Sequence, residues 1–335
     1  MQVIKEGSVR VDLVGGTLDL DPIHVILKDV ITLNVATSLK AKVIIERIDT
    51  NSIIIESLDY NSVSEFQEEE FTYENIYEND HFGPLKFFIQ ILDHFKIHKG
   101  LKIISNSGAP AGSGLGGSSA MGVTLYSAIL DMQKRTEDRV TIVNTVKGIE
   151  SRILNQGVAG YQDFYPALFG GVLGLKAAPG EVVVEQLYSQ ELKVFLEKNI
   201  TLIFSGKSRQ SGMNNWEAYK LFFEKDAKVR QGFADIAEVS HKTYEAIKQK
   251  SYQDLPKLIG QEGEIRKNLF PGIFSEEITT FYDTMKKELP EAGLKVCGAG
   301  GGGCFIVSSG DQEKVASIAK SLKMEVLEFK IDNPL

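Results

Sequence analysis

The chain has 335 residues, with 37 Lys and Arg against 45 Asp and Glu for a formal charge of −8, and it is 43% apolar and 24% charged. This is the balance of a globular protein long enough for two domains, and it excludes a disordered or fibrous chain. No apolar run approaches the ~20 residues that cross a bilayer, the opening MQVIKEGSVRVD lacks the layout of a secretory signal, and an acidic chain offers no basic surface to nucleic acid, so the expectation is a cytoplasmic protein that binds neither membrane nor nucleic acid.

Elements follow in chain order. The apolar alternation on either side of Asp49-Thr50-Asn51 predicts strands over 38–48 and 52–58 joined as a β-hairpin. From Ile48 to Leu85 there is no Lys or Arg, while ten acids fall there; the rest of the chain then holds 35 acids against 37 bases. That stretch is expected to lie on the surface, away from any anion site. Pro84 opens a helix in which Leu85, Phe88, Ile89 and Leu92 recur at helical spacing. A strand over 101–104, a glycine loop, and helices over 118–133 and 139–154 come next. Strands over 181–187 and 199–204 flank a short helix, and a long helical region covers 216–250. Strands over 294–296 and 304–308 enclose a second glycine run, and a helix near 312–322 and a strand near 325–331 complete an α+β pattern. The texture changes past Gly171, which places a domain boundary at residue 180, giving domains 1–180 and 181–335. Cys297 and Cys304 fit no disulfide framework and no zinc spacing.

Glycine is over-represented, at 31 residues against about 23 for a background of ~7%. Many fall in the two glycine runs. In the first, Pro110-Ala-Gly-Ser-Gly-Leu-Gly-Gly-Ser-Ser119 lies between a predicted strand and a predicted helix. Glycine lets the main chain approach a ligand with no Cβ in the way, and the free amides at the start of a helix then face an anion. A phosphate is the expected ligand. Gly112, Gly114 and Gly117 satisfy G-x-G-x-x-G, but the acid about 20 positions on that a dinucleotide fingerprint needs is absent, since Asp131 falls inside the helix. No Lys follows the glycines, so the Walker A pattern fails too.

The loop resembles that of the GHMP kinases (galactokinase, homoserine, mevalonate and phosphomevalonate kinases), whose form is P-x-G-x-G-L-G-S-S. Arg10-Val-Asp-Leu-Val-Gly-Gly-Thr-Leu-Asp19 is similar to the first motif of that family and Val296-Cys-Gly-Ala-Gly-Gly-Gly-Gly-Cys304 to its third. Gly160-Tyr-Gln-Asp163, Phe169-Gly-Gly171 and Phe204-Ser-Gly-Lys-Ser-Arg209 resemble segments of the fucokinase and heptose 7-phosphate kinase branch. Galactokinase itself has Glu-His where this chain has Gly16-Thr17.

The resemblance implies a two-domain α+β fold, with an N-terminal domain like ribosomal protein S5 that binds ATP and a ferredoxin-like C-terminal domain. It implies a monomer or homodimer that uses ATP and Mg2+ to phosphorylate a small-molecule sugar or sugar phosphate, with the anomeric oxygen as acceptor. ATP would lie on Pro110, Gly112, Ser113, Gly114, Leu115, Gly116, Gly117, Ser118 and Ser119, and Mg2+ on Ser119 and Glu150. Asp163 would act as general base or as an orienting charge, with Arg10 as the cation beside it. Asp19, Gly16, Thr17, Gly300 and Gly301 would meet the acceptor, and Arg209 an anionic group of the acceptor or of the nucleotide. A mevalonate- or homoserine-type kinase and a non-catalytic sugar-binding regulator are the alternatives; Asp163, Arg10 and both glycine runs speak against the regulator.

Overall fold

The computed structural model describes residues 2–154, 158–208 and 215–335. The first half contains β1 (Gln2–Val14), α1 (Ile23–Ile26), β2 (Ile31–Arg47), β3 (Ser52–Ser57), β4 (Ser62–Gln67), α2 (Lys86–His94), β5 (Leu101–Asn106), α3 (Gly117–Gln133), α4 (Arg139–Leu154), α5 (Tyr165–Phe169), β6 (Val172–Ala178) and β7 (Glu181–Gln186). The second half adds α6 (Gln190–Asn199), β8 (Ile200–Phe204), α7 (Asn215–Phe223), α8 (Ala227–Lys248), α9 (Leu255–Leu269), α10 (Glu276–Glu288), β9 (Gly293–Val296), β10 (Cys304–Ser308), α11 (Gln312–Ser321) and β11 (Glu325–Leu327).

The long strand β2 organises the N-terminal sheet. From Leu33 to Glu46 it pairs antiparallel with β1, while its other edge takes β5 along Lys42–Arg47 and β6 along Ile31–Val35. Two expectations change here. Strands β2 and β3 are consecutive but do not form a hairpin, because β5 inserts between them and pairs parallel to β3 from Ile53↔Leu101 to Ser57↔Ser105. The boundary expected at residue 180 falls in the turn of the β6–β7 hairpin, which pairs from Leu173↔Gln186 to Ala178↔Glu181. Pro179-Gly180 closes that hairpin, with Gly180 at φ 84°, so the N-terminal sheet runs to Gln186 and the next layer starts with α6.

The C-terminal sheet is antiparallel in the order β11-β8-β10-β9. A β-α-β-β-α-β chain order with that arrangement is the ferredoxin-like one. The expected helical region over 216–250 breaks in two: α7 ends at Phe223, Lys225 turns at φ 60°, and the Asp226 carboxylate caps α8 by accepting from Val229 N at 2.8 Å. The expected last strand is cut to Glu325–Leu327, and Ile331 instead bridges to Thr37 of the first sheet.

From Gly7 to Val14 every residue of β1 is buried. Successive strand residues point to opposite faces, so this end of β1 is covered on both. The covering comes from α3 and α5 of the first domain and from α8 and α9 of the second. Register shifts in the β1–β2 ladder fall between Ser8 and Arg10 and between Asp12 and Val14. They re-aim the two charged side chains of this buried segment. Among the described residues, no helix is long and apolar enough to cross a membrane.

Candidate active site

A cleft with a cavity volume of about 1130 Å³ opens between the domains and reaches the N-terminus of α3. The loop before α3 turns through Gly112, Gly114 and Gly116 at φ 69°, 76° and 71°. A side chain at any of these would strain the backbone. The second glycine run packs against this loop: Cys304 N donates to Ser113 O at 2.6 Å, and a Cβ on Gly303 would lie 2.7 Å from the same oxygen. Main chain meets main chain here, which explains why both runs are glycine-rich.

Arg10 is buried at the centre of these contacts. Its backbone N donates to Leu115 O at 3.0 Å, and its Nη1 donates to Gly114 O at 2.6 Å and to Cys297 O at 2.8 Å. Its Nε and Nη2 reach Asp163 Oδ1 at 2.8 and 2.6 Å. Both contacts fall on one carboxylate oxygen of Asp163, which lines the cleft. Burial opposes the guanidinium charge, but Asp163 and Asp12 outweigh it and hold the Arg10 pKa above its ordinary value. Asp19 lines the cleft beside this pair. It is buried, accepts from Gln162 N at 3.1 Å, and is gripped by Gly160, where a Cβ would lie 2.2 Å from Asp19 Oδ2. Burial, then the charge of Asp163, push its carboxyl up to about 7.

Glu150 of α4 is buried behind the start of α3 and accepts from Ser119 Oγ at 2.7 Å. Burial pushes it up to about 7, against the hydroxyls of Ser119 and Ser118. A buried carboxylate opposed only by hydroxyls, at the mouth of a phosphate loop, is a hard oxygen donor set of the kind Mg2+ takes, with phosphate and water oxygens completing the shell. The residues present therefore fit the metal.

Family models described as "GHMP kinases N terminal domain" and "GHMP kinases C terminal" match residues 84–171 and 243–325. The chain belongs to the GHMP kinase family. Members of this family are phosphotransferases that use ATP, typically with Mg2+. The chain is 25% identical over 337 residues to the bifunctional fucokinase/GDP-fucose pyrophosphorylase of Arabidopsis thaliana, a match covering 97% of this chain and 31% of that protein, so it spans about a third of that relative. It is 26% identical over 324 residues to the D-glycero-alpha-D-manno-heptose 7-phosphate kinase of Campylobacter jejuni, covering 95% of this chain and 92% of that one. Among solved structures it superposes on a D-glycero-D-manno-heptose 1-phosphate kinase from Bacteroides thetaiotaomicron with TM-score 0.77 at 20% identity, over 99% of this chain and 97% of that one. The mevalonate kinase of Methanococcus jannaschii gives 0.75 at 22%, over 99% of both chains.

In this member of the GHMP kinase family the fold gathers most of the expected residues on one cleft. Arg10, Gly16, Thr17, Asp19, Pro110, Gly112, Ser113, Gly114, Gly116, Gly117, Ser118, Ser119, Glu150 and Asp163 all line it. The Leu115 side chain is fully buried in the core, so only its main chain can take part, and its carbonyl accepts from Arg10 N. Two expectations are corrected. Gly300 and Gly301 turn away from the cleft: Gly301 N donates to Ile273 O at 2.9 Å, and a Cβ on Gly300 would lie 2.4 Å from Ile273, while Gly298 and Ala299 line the cleft instead. The acidic segment does not lie apart, because Ser57, Asp59, Tyr60, Asp80 and Phe82 form part of the cleft wall. The β3–β4 hairpin carries it there, and Asp59 is tied down by Ser107 N and Oγ, both at 2.8 Å. Arg209 lies outside the described residues.

Sequence reading missed Asp12, Gln162 and Arg266 in the cleft, and Glu262 and Lys295 beneath it. Asp12 and Gln162 stand inside motifs already noticed. Glu262 and Arg266 are four apart on α9, which in sequence looks like an exposed helix ion pair.

Proposed function

We propose that the chain is an ATP- and Mg2+-dependent kinase that transfers the γ-phosphoryl group to a hydroxyl of a sugar or sugar phosphate. The observation that carries this is the Arg10–Asp163 pair, which faces the phosphate loop and the buried carboxylate of Asp19 within one cleft. The anomeric hydroxyl is the acceptor that the likeness to fucokinases and heptose 7-phosphate kinases favours. The 26% match to a heptose 7-phosphate kinase along nearly the whole of both chains supports a sugar over mevalonate.

Phosphoryl transfer asks for positioning and charge neutralisation more than covalent chemistry. Loop amides at residues 112–117 and the N-terminus of α3 hold the phosphates, and the wall from Ser57 to Phe88 takes the base. When bound, Mg2+ supplies charge neutralisation across the phosphate oxygens, held by Ser119 and Glu150. Asp19, near its midpoint at neutral pH, both accepts from and donates to sugar hydroxyls. Asp163 Oδ2 takes the proton of the attacking hydroxyl as its oxygen bonds to the γ-phosphorus and the bond to the β-phosphate oxygen breaks. Arg10 fixes the carboxylate through Oδ1 and faces the charge of the transferred group.

The test is a coupled assay of ADP release over heptose 7-phosphate, fucose, galactose, N-acetylhexosamines and mevalonate, repeated with Asp163→Asn. Loss of a general base lowers kcat by about 10²–10⁴-fold. A variant as fast as the parent would overturn the role of Asp163, and preference for mevalonate would overturn the sugar reading.

A further inference from the structure

Four ionisable side chains with no part in the proposed transfer are buried together at the acceptor side of the cleft, Asp12 and Arg266 at its lining and Glu262 and Lys295 beneath it. Asp12 of β1, Glu262 and Arg266 of α9 and Lys295 of β9 are all at most 2% exposed. Lys295 Nζ lies 2.6 Å from Asp12 and 3.5 Å from Glu262, and Arg266 Nη1 lies 3.7 Å from Asp12. The charges balance, two against two, and the cluster joins the first sheet to the second domain. Such clusters are a poor source of stability, because desolvation offsets the attraction and apolar side chains of the same volume hold domains together as well. This one is also incompletely bonded: Asp12 Oδ1, Glu262 Oε1 and Arg266 Nε and Nη1 have no hydrogen-bond partner among the described residues.

What the cluster does hold is the turn above it. Glu262 Oε2 accepts from Gly15 N at 2.6 Å, a Cβ on Gly16 would lie 2.1 Å from Asp12 Oδ2, and Arg266 Nη2 donates to Thr17 Oγ1 at 3.3 Å and to Gly298 O at 2.9 Å. Thr17, which lines the cleft, has φ 78°. A β-branched residue in the left-handed region is strained, and such strain persists only where the surroundings impose it. We propose that the Asp12–Glu262–Arg266–Lys295 cluster is a positioning device that imposes this turn, presenting the Thr17 hydroxyl and the Gly16 amide to the acceptor, with Arg266 as the residue that joins the cluster to Thr17. The inference rests on the acceptor site read above.

Arg266 also holds Gly298, which packs on Gly114, but the phosphate loop keeps its own ties through Arg10 and Cys304, so nucleotide binding should be largely spared when Arg266 is changed. With heptose 7-phosphate and fucose as acceptors, Arg266→Met and Thr17→Val should each raise the acceptor KM by about tenfold, with kcat and the calorimetric affinity for adenylyl imidodiphosphate held within about threefold. Because Arg266 acts through the Thr17 hydroxyl, the double variant should be no worse than the worse single, and Thr17→Ser should stay near the parent. Amide hydrogen exchange reads the turn without any acceptor: Arg266→Met should speed exchange over 15–18 by about tenfold and leave 117–133 unchanged. Arg266→Lys, which keeps the charge of the cluster, replaces Met if Met does not fold and should show the same pattern more weakly. Unchanged exchange over 15–18, or KM effects that add, would overturn the proposal. If the parent binds nucleotide yet phosphorylates neither acceptor, the acceptor reading falls, and hydrogen exchange alone then decides the role of the cluster.

Discussion

On the side of the cleft proposed to hold phosphate, the groups that would face it are main-chain amides of one short segment, residues 112–117, braced by main chain from the second glycine run. On the side proposed for the acceptor they are side chains, Asp19, Asp163 and Thr17, each held by residues far away in the sequence. The phosphate side depends on the absence of side chains and the acceptor side on the exact partners of buried charges. Anion recognition by amides needs only a backbone that can take positive φ and approach closely. Recognition of hydroxyls by carboxylates in a dry site needs each charge placed and compensated.

The largest effect that would separate the two sides is on the phosphate side. Gly303→Ala places a Cβ within 2.7 Å of Ser113 O and 2.9 Å of Gly112 O at a residue with φ 75°. Displacing the loop should weaken calorimetric nucleotide binding by about 10²-fold. Exchange over residues 15–18 should stay as in the parent, and a matching change there would show that the two sides are one mechanical unit. A smaller effect is expected at Glu150, where Glu150→Gln should raise the Mg2+ concentration for half-maximal activity by roughly tenfold or more. In the parent that requirement should also climb as pH falls below about 7, because the buried carboxyl must lose its proton to hold a metal. A pH-independent requirement would remove Glu150 from the metal site.

The smallest effect is on stability. Burial pushes the Asp19 carboxyl up to about 7 in the folded protein, above its ordinary value of 3.8, so between those values the native state holds a proton that the unfolded chain has released. Stability therefore falls as pH rises through that window. Asp19→Asn should raise the melting temperature by a few degrees at pH 8 and change it little at pH 4. Glu150 and Glu262, also pushed up to about 7, keep part of the slope. Equal shifts at both pH values would place the Asp19 effect in packing instead of charge.

Much of the fold was legible where the signal is local. The helix over 139–154 and the strands around both glycine runs appear as their periodicity predicts, whereas the single helical region expected over 216–250 is broken where Asp226 caps α8. The hairpin over 38–58 failed because adjacency in sequence is a weaker constraint than the pairing of β3 with β5, which closes only after α2 has crossed over. The change of texture past Gly171 placed the boundary at residue 180, which lies in a turn within one sheet, because a shift in local composition does not show which strands will pair. Asp59 and its acidic neighbours looked like plain surface because charge composition carries no information about which side of a hairpin borders a cleft.

The sequence by itself determined the α+β class and the kinase family, and singled out the glycine loop proposed for phosphate, with Arg10, Asp19, Glu150 and Asp163 as the charges to watch. These depend on backbone freedom and residue type over a few consecutive positions. Only the tertiary structure decided that Gly300 and Gly301 pack against Ile273, and that Glu262, Arg266 and Lys295 are buried with Asp12 beneath Thr17. A charged residue on an amphipathic helix has the same sequence signature whether it faces water or a partner. Which of the two holds is set by β1, α9 and β9 meeting across the domain interface, a contact between distant parts of the chain that no local pattern encodes.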